Sequence, residues 1–139
     1  VLAAPGVTAA AFGSLDLALD LGCEHTWEAL LMARSELVLR SRLVGLPAPV
    51  DGVTTALDEE SAAADARRAA ALGFGGKLAI HPRQVAPIQA AFRPSEADIV
   101  WARRVIAATR TGAAVRLDGA MIDAPLVARA RRILAASGG

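Results

Sequence analysis

The sequence predicts a parallel α/β fold. Three short apolar runs, at Thr8–Phe12, Ala48–Val53 and Leu78–Ile80, are too brief to be helices and read as buried strands. Amphipathic or alanine-rich helical segments separate them, as a parallel sheet requires, because a crossover helix must return the chain before the next strand can pair in parallel. Each run also ends near polar groups, and the carboxyl ends of strands are where functional side chains collect in such folds.

The elements follow in order. Gly13 closes the first run, and Asp16 lies just beyond, where it either caps a short Leu17–Leu21 turn or contributes to a site. From Trp27 to Leu46, Leu30, Leu31, Ala33, Leu37, Val38 and Val44 recur at helical spacing, with Arg34, Glu36, Arg40 and Arg42 between them. This predicts one helix, with Gly45 at its C-cap and Pro47 barring continuation. The second run carries Asp51, then Thr54 and Thr55 at its end. Asp58 or Ser61 caps an alanine-rich helix that stops at Gly73, and Gly75-Gly76-Lys77 leads into the third run, which ends at His81-Pro82. Beyond it the pattern predicts helices only, over 83–91, 95–111 and 125–136, joined by a connector over 113–123 that contains Asp118-Gly119.

Composition narrows the function. The chain has 139 residues, 54% hydrophobic and only 4% aromatic, the size of one ordinary globular domain with enough apolar material for a core. A net charge of +1 points to no nucleic-acid or membrane-surface partner. The longest uncharged run, Val1–Leu15, is interrupted by Pro5, Gly6 and Gly13 and falls short of a membrane span. The single cysteine, Cys23, forms no internal disulfide and predicts a reducing, cytoplasmic compartment. Cys23 and His25 lack a second pair of metal ligands. Gly73, Gly75 and Gly76 precede a strand and so do not match a dinucleotide fingerprint. The opening on Val, directly in an apolar stretch, predicts a start cut from something longer, and three parallel strands alone leave open edges.

Read by themselves, the polar residues at the strand ends keep more than one meaning. His81 is a ligand, a donor to an oxyanion or, most simply, a satisfied buried histidine. Asp123, two residues before Pro125, has the spacing of a helix N-cap.

Four ordered motifs sharpen these choices. Phe12-Gly13-Ser14-Leu15-Asp16-Leu17-Ala18-Leu19-Asp20-Leu21-Gly22, Ala48-Pro49-Val50-Asp51-Gly52-Val53-Thr54-Thr55, Gly73-Phe74-Gly75-Gly76-Lys77 through Ile80-His81-Pro82-Arg83-Gln84-Val85, and Asp118-Gly119-Ala120-Met121-Ile122-Asp123-Ala124-Pro125 together resemble the carboxyl-terminal half of the HpcH/HpaI aldolase and citrate lyase family, in its citrate lyase beta subunit-like branch. The resemblance implies strands six to eight of a (β/α)8 TIM barrel over 1–92 and a helical carboxyl-terminal extension over 93–139 that packs on a neighbouring subunit of a homotrimer. A complete barrel takes about 250 residues, so this length corresponds to its final half plus an extension.

The implied activity is Mg2+-dependent carbon–carbon cleavage, or formation, of a 3-hydroxyacyl thioester of the citryl-, malyl- or citramalyl-CoA type, giving a 2-oxo acid and acetyl-CoA. The acyl group is carried on CoA or on a carrier protein. Asp16 maps onto a metal ligand of the family, Asp123 onto its catalytic acid/base, and Asp51, Thr55 and His81 onto its pocket. The family's other metal carboxylate, a Glu, and its substrate arginine have no counterpart here. Lys77, the only lysine, is given no Schiff-base role. Two alternatives stand beside this reading: a non-catalytic fragment or half-barrel that needs a partner chain, and a metal-dependent pyruvate-type aldolase relative.

Overall fold

The computed structural model describes residues 2–109, 116–117 and 120–138. The chain forms two compact units, Val1–Phe92 and Arg93–Gly139.

In the first unit three backbone segments run parallel in chain order. The first is held by a single bridge, Ala11 to Val50, with Phe12 N–H donating to Val50 O and Val50 N–H to Ala10 O, both at 2.9 Å. The run Thr8–Phe12 is therefore one bridge and not an extended strand. β1, Val50–Asp51, pairs with β2, Gly76–Lys77, in the register Val50 to Gly76 and Asp51 to Lys77. This places the third strand earlier than the apolar run Leu78–Ile80 suggests. The reason is a buried charge: pairing Lys77 with Asp51 puts the amine beside the carboxylate, while Leu78 and Ile80 remain 42% and 53% exposed.

Alternation along these segments separates two faces. Phe12, Asp51 and Lys77 are buried on one, and Ala11 is exposed on the other. The buried face lies under the helices, with Phe12, Ala18, Leu30, Ala69 and Phe74 forming its core.

The helices start and stop where local chemistry directs. α1, Ser14–Leu21, is a full helix where the sequence suggested only a turn, and it ends at Gly22 in the left-handed region. α2, Leu31–Leu43, is shorter than the predicted Trp27–Leu46, because Thr26–Leu30 form turns in which Ala29 N–H donates to Thr26 Oγ1. α3, Glu59–Leu72, takes Asp58 as its N-cap, with Ser61 N–H donating to the Asp58 carboxylate at 2.7 Å. It ends at Gly73, whose φ of 107° favours a residue without a Cβ. A 3-10 turn, Pro82–Gln84, leads into α4, Val85–Phe92.

The second unit contains α5, Glu96–Thr109, and α6, Ala124–Ser137, packed around buried Ala102, Val105 and Ala130. Ser95 and Asp98 cap α5 reciprocally, Asp98 N–H to Ser95 Oγ and Ser95 N–H to the Asp98 carboxylate. The expectation of helices only is corrected by a short antiparallel hairpin, β3, Arg116–Leu117, with β4, Ala120–Met121. Asp118-Gly119 lies outside the described residues. Among the described residues no helix is long and apolar enough to cross a membrane.

Candidate functional site

The carboxyl ends of β1 and β2 are organised by an ion triad beneath the surface. Asp51 is fully buried and uses both carboxylate oxygens: Arg34 Nε donates to Oδ1 at 2.9 Å, and Lys77 Nζ to Oδ2 at 3.0 Å. Lys77 Nζ also donates to Gly52 O at 2.7 Å. A triad of two cations and one anion out of water is costly unless each charge is closely paired, and removal of one member leaves an uncompensated charge, an effect of about 3–5 kcal/mol. The Arg34 guanidinium is enclosed by aromatic faces, 4.5 Å from the Trp27 ring and 5.0 Å from the Phe12 ring. Its Nη1 is buried with no hydrogen-bond acceptor among the described residues, and the π-faces stand in for one.

Above this layer a cavity of about 350 Å³ opens between the loop before α2, the loop after β1 and the flank of α3. His25, Trp27, Arg34, Thr55, Asp65 and Arg68 are among its lining residues. Thr54, buried, fixes one wall by donating from Oγ1 to Asp65 Oδ2 at 2.8 Å. Thr55, exposed, lies next to it on the cavity wall.

A second cavity, of about 200 Å³, is lined by Phe12, Gly13, Ser14, Leu15, Asp16, Val53 and Leu78. Val53 lies on both cavities, and a hydrogen bond of 2.9 Å between His25 Nε2 and Ser14 Oγ joins their walls. Packing here is close: a Cβ on Gly52 would collide with Ser14 Oγ and lie 2.9 Å from Phe12 O. Glycine at 52 is what lets α1 begin against β1, and so sets where Asp16, in the first turn of α1, is presented.

The Asp16 carboxylate is exposed and makes no hydrogen bond or ion pair among the described residues. An unengaged carboxylate oxygen is the donor type a hard divalent cation takes. No group of three His, Cys, Asp or Glu that could hold a metal ion occurs among the described residues. The residues therefore fit magnesium as one carboxylate ligand, with the rest of the coordination shell drawn from water, substrate or other residues.

The remaining predicted residues lie elsewhere. Asp51 does not line either cavity; it is hydrogen-bonded to Arg34, which lines the first. His81 is half-buried at the start of the 3-10 turn, with Nδ1 accepting from Arg83 N–H at 3.2 Å. Asp123 lies in the second unit, exposed, and accepts from Leu126 N–H at 3.0 Å as the N-cap of α6. One of its oxygens is thus engaged by the helix.

The linear pattern does not single out Arg34, which reads there as part of a solvated helix face. The available signal is spacing: Leu30, Arg34, Leu37 and Ser41 form one helical stripe, and Leu30, Arg34 and Ser41 are all buried. Gln84 is similar, fully buried one turn before Ile88.

The chain is similar to known proteins over most of its length. A family model described as HpcH/HpaI aldolase/citrate lyase matches residues 1–82. A citrate lyase subunit beta-like protein of Deinococcus radiodurans is 43% identical over 96% of this chain and 50% of its own length. A mitochondrial citramalyl-CoA lyase of Rattus norvegicus is 35% identical over 91% of this chain and 39% of its own. The chain thus spans half or less of the length of these relatives. Among solved structures, the protein CitE of Mycobacterium tuberculosis in complex with magnesium, acetoacetate and coenzyme A matches 99% of this chain and 55% of its own, with 31% identity and a TM-score of 0.87.

Proposed function

Since this chain belongs to the HpcH/HpaI aldolase/citrate lyase family, we propose that it is the carboxyl-terminal portion of a Mg2+-dependent carbon–carbon lyase acting on a 3-hydroxyacyl thioester such as citramalyl-, malyl- or citryl-CoA. The observation that carries the reading is the match of almost the whole chain to a protein solved with magnesium, acetoacetate and coenzyme A. In this reading the first unit supplies strands six to eight of a (β/α)8 barrel, and its uncovered sheet face and the open edge at Ala11 meet the remaining strands. Residues 93–139 form an extension that reaches a neighbouring subunit of a homotrimer.

The roles follow from where each side chain stands. Asp16 holds the cation with its free carboxylate. Magnesium, when bound, stabilises negative charge on substrate oxygens. Thr55 hydrogen-bonds the substrate from the cavity wall, and His81, which lines neither cavity, extends the pocket from the end of the next βα loop. Asp51 is a positioning residue: it orients Arg34, whose guanidinium orders Trp27 against the cavity.

In cleavage the substrate hydroxyl loses its proton, the bond between the hydroxyl-bearing carbon and the adjacent methylene breaks, and the methylene carbon leaves as the enolate of an acetyl thioester. The Asp123 oxygen not engaged by Leu126 N–H takes up, by way of water, the proton that the hydroxyl releases and delivers it to this carbon, turning the enolate into the acetyl methyl. In the condensation direction the same oxygen removes it.

The test is the full-length protein with Asp16→Asn, assayed on citramalyl-CoA and malyl-CoA with Mg2+. Loss of at least about a hundredfold in turnover is expected for removal of a metal ligand charge. Undiminished turnover with Mg2+ chelated would sink the assignment.

A further inference from the structure

Gln84 is fully buried, an unusual place for an amide, and both polar atoms of its side chain are occupied. Nε2 donates to Thr54 O at 3.0 Å and to Ala56 O at 2.8 Å, the two carbonyls that flank Thr55. Oε1 accepts from Ile80 N–H at 2.9 Å, and Gln84 N–H donates to His81 O at 3.0 Å, so the backbone around His81 is gripped by the same residue.

We infer that Gln84 is the positioning residue that ties the loop after β1 to the loop after β2 and thereby sets Thr55 and His81 relative to each other; this rests on the functional reading above for those two residues. An amide is what the geometry demands. A carboxylate can accept from Ile80 N–H but cannot donate to two carbonyls, and an apolar side chain fills the volume while leaving Thr54 O, Ala56 O and Ile80 N–H without their partner. The loops carry the candidate binding groups, while Gln84 sits at the end of the 3-10 turn that opens α4, so one side chain on a structured turn holds both loop segments.

The experiment compares full-length wild type with Gln84→Met and Gln84→Glu by NMR and by steady-state cleavage of citramalyl-CoA. In Gln84→Met the Ile80 amide exchanges about tenfold faster or more, the Thr54 and Ala56 carbonyl resonances shift with it, and KM rises about tenfold while kcat changes less than about threefold. In Gln84→Glu the Ile80 amide keeps its protection and only the two carbonyls shift. Lowering the pH then protonates the buried carboxyl, returns one donor and brings KM back toward wild type. Should Gln84→Met fail to fold, this asymmetry in Gln84→Glu decides the matter.

Movement of one loop alone in Gln84→Met, or movement of both with KM unchanged, would overturn the inference. Absence of thioester cleavage in the wild type would instead overturn the functional reading, and the NMR readouts would still decide whether Gln84 ties the loops.

Discussion

In the proposed mechanism Asp123 serves two purposes with one carboxylate. Its Oδ1 caps α6 through Leu126 N–H, and the proposed proton transfer falls to the other oxygen. The two roles separate by substitution, because Asn caps a helix about as well as Asp but does not carry the proton. Asp123→Asn is expected to keep the Tm of wild type and lose about 10²–10⁴ in kcat, whereas Asp123→Ala loses both, with the cap worth about 1 kcal/mol. Calorimetry beside kinetics checks this; equal kcat in wild type and Asp123→Asn would remove Asp123 from the chemistry. Asp51 stands at the opposite extreme: both of its oxygens are committed to Arg34 and Lys77, so in the proposed function it acts only through its neighbours. The same triad accounts for Lys77, whose amine is held by Asp51 and by Gly52 O and is not free as a nucleophile.

At the level of elements, caps and register have different origins. The start of α3 is decided within four residues: Asp58 accepts from Ser61 N–H, and that hydrogen bond holds its carboxyl below the usual aspartate range. A lowered folded pKa stabilises the protein above the unfolded value, about 3.9, and the contribution disappears as pH falls through the folded pKa. Asp58→Ala is therefore expected to lower Tm at pH 7, with the gap to wild type closing as pH falls below the ordinary aspartate range. A gap that stays constant across that range would show that the carboxylate charge contributes nothing at this cap. Such local motifs are legible in sequence, and the Gly73 and Gly45 stops are as well, each with the positive φ that suits glycine. The register of β2 is not legible in the same way. Apolar content favours Leu78–Ile80, but the buried pair of Lys77 with Asp51 fixes Gly76–Lys77 as the strand.

At the scale of the whole molecule, the first unit buries one face of its three parallel segments under helices and leaves Ala11, Leu78 and Ile80 exposed. Asp16 stands free beside this face, with no group of three metal-ligating side chains among the described residues. The proposed barrel accounts for both features. The 139-residue chain assayed by itself with Mg2+ and citramalyl-CoA is therefore expected to show no turnover, while the full-length protein turns over and sediments at three times its chain mass. Turnover by the isolated chain would refute the half-barrel reading. By itself the sequence determined the alternation of short strand segments and helices over the first 92 residues, the helix starts at Asp58 or Ser61 and at Asp123, and the four motifs that carry the family. Each depends on residues within a few positions of one another, where hydrogen-bonding geometry is a local matter. Only the tertiary structure decided that Arg34 and Lys77 both belong to Asp51 and that Gln84 spans two loops. Those contacts join residues 17, 26 and 28 to 30 positions apart, and their strength comes from exclusion of water, which no stretch of sequence possesses until the fold has closed over it.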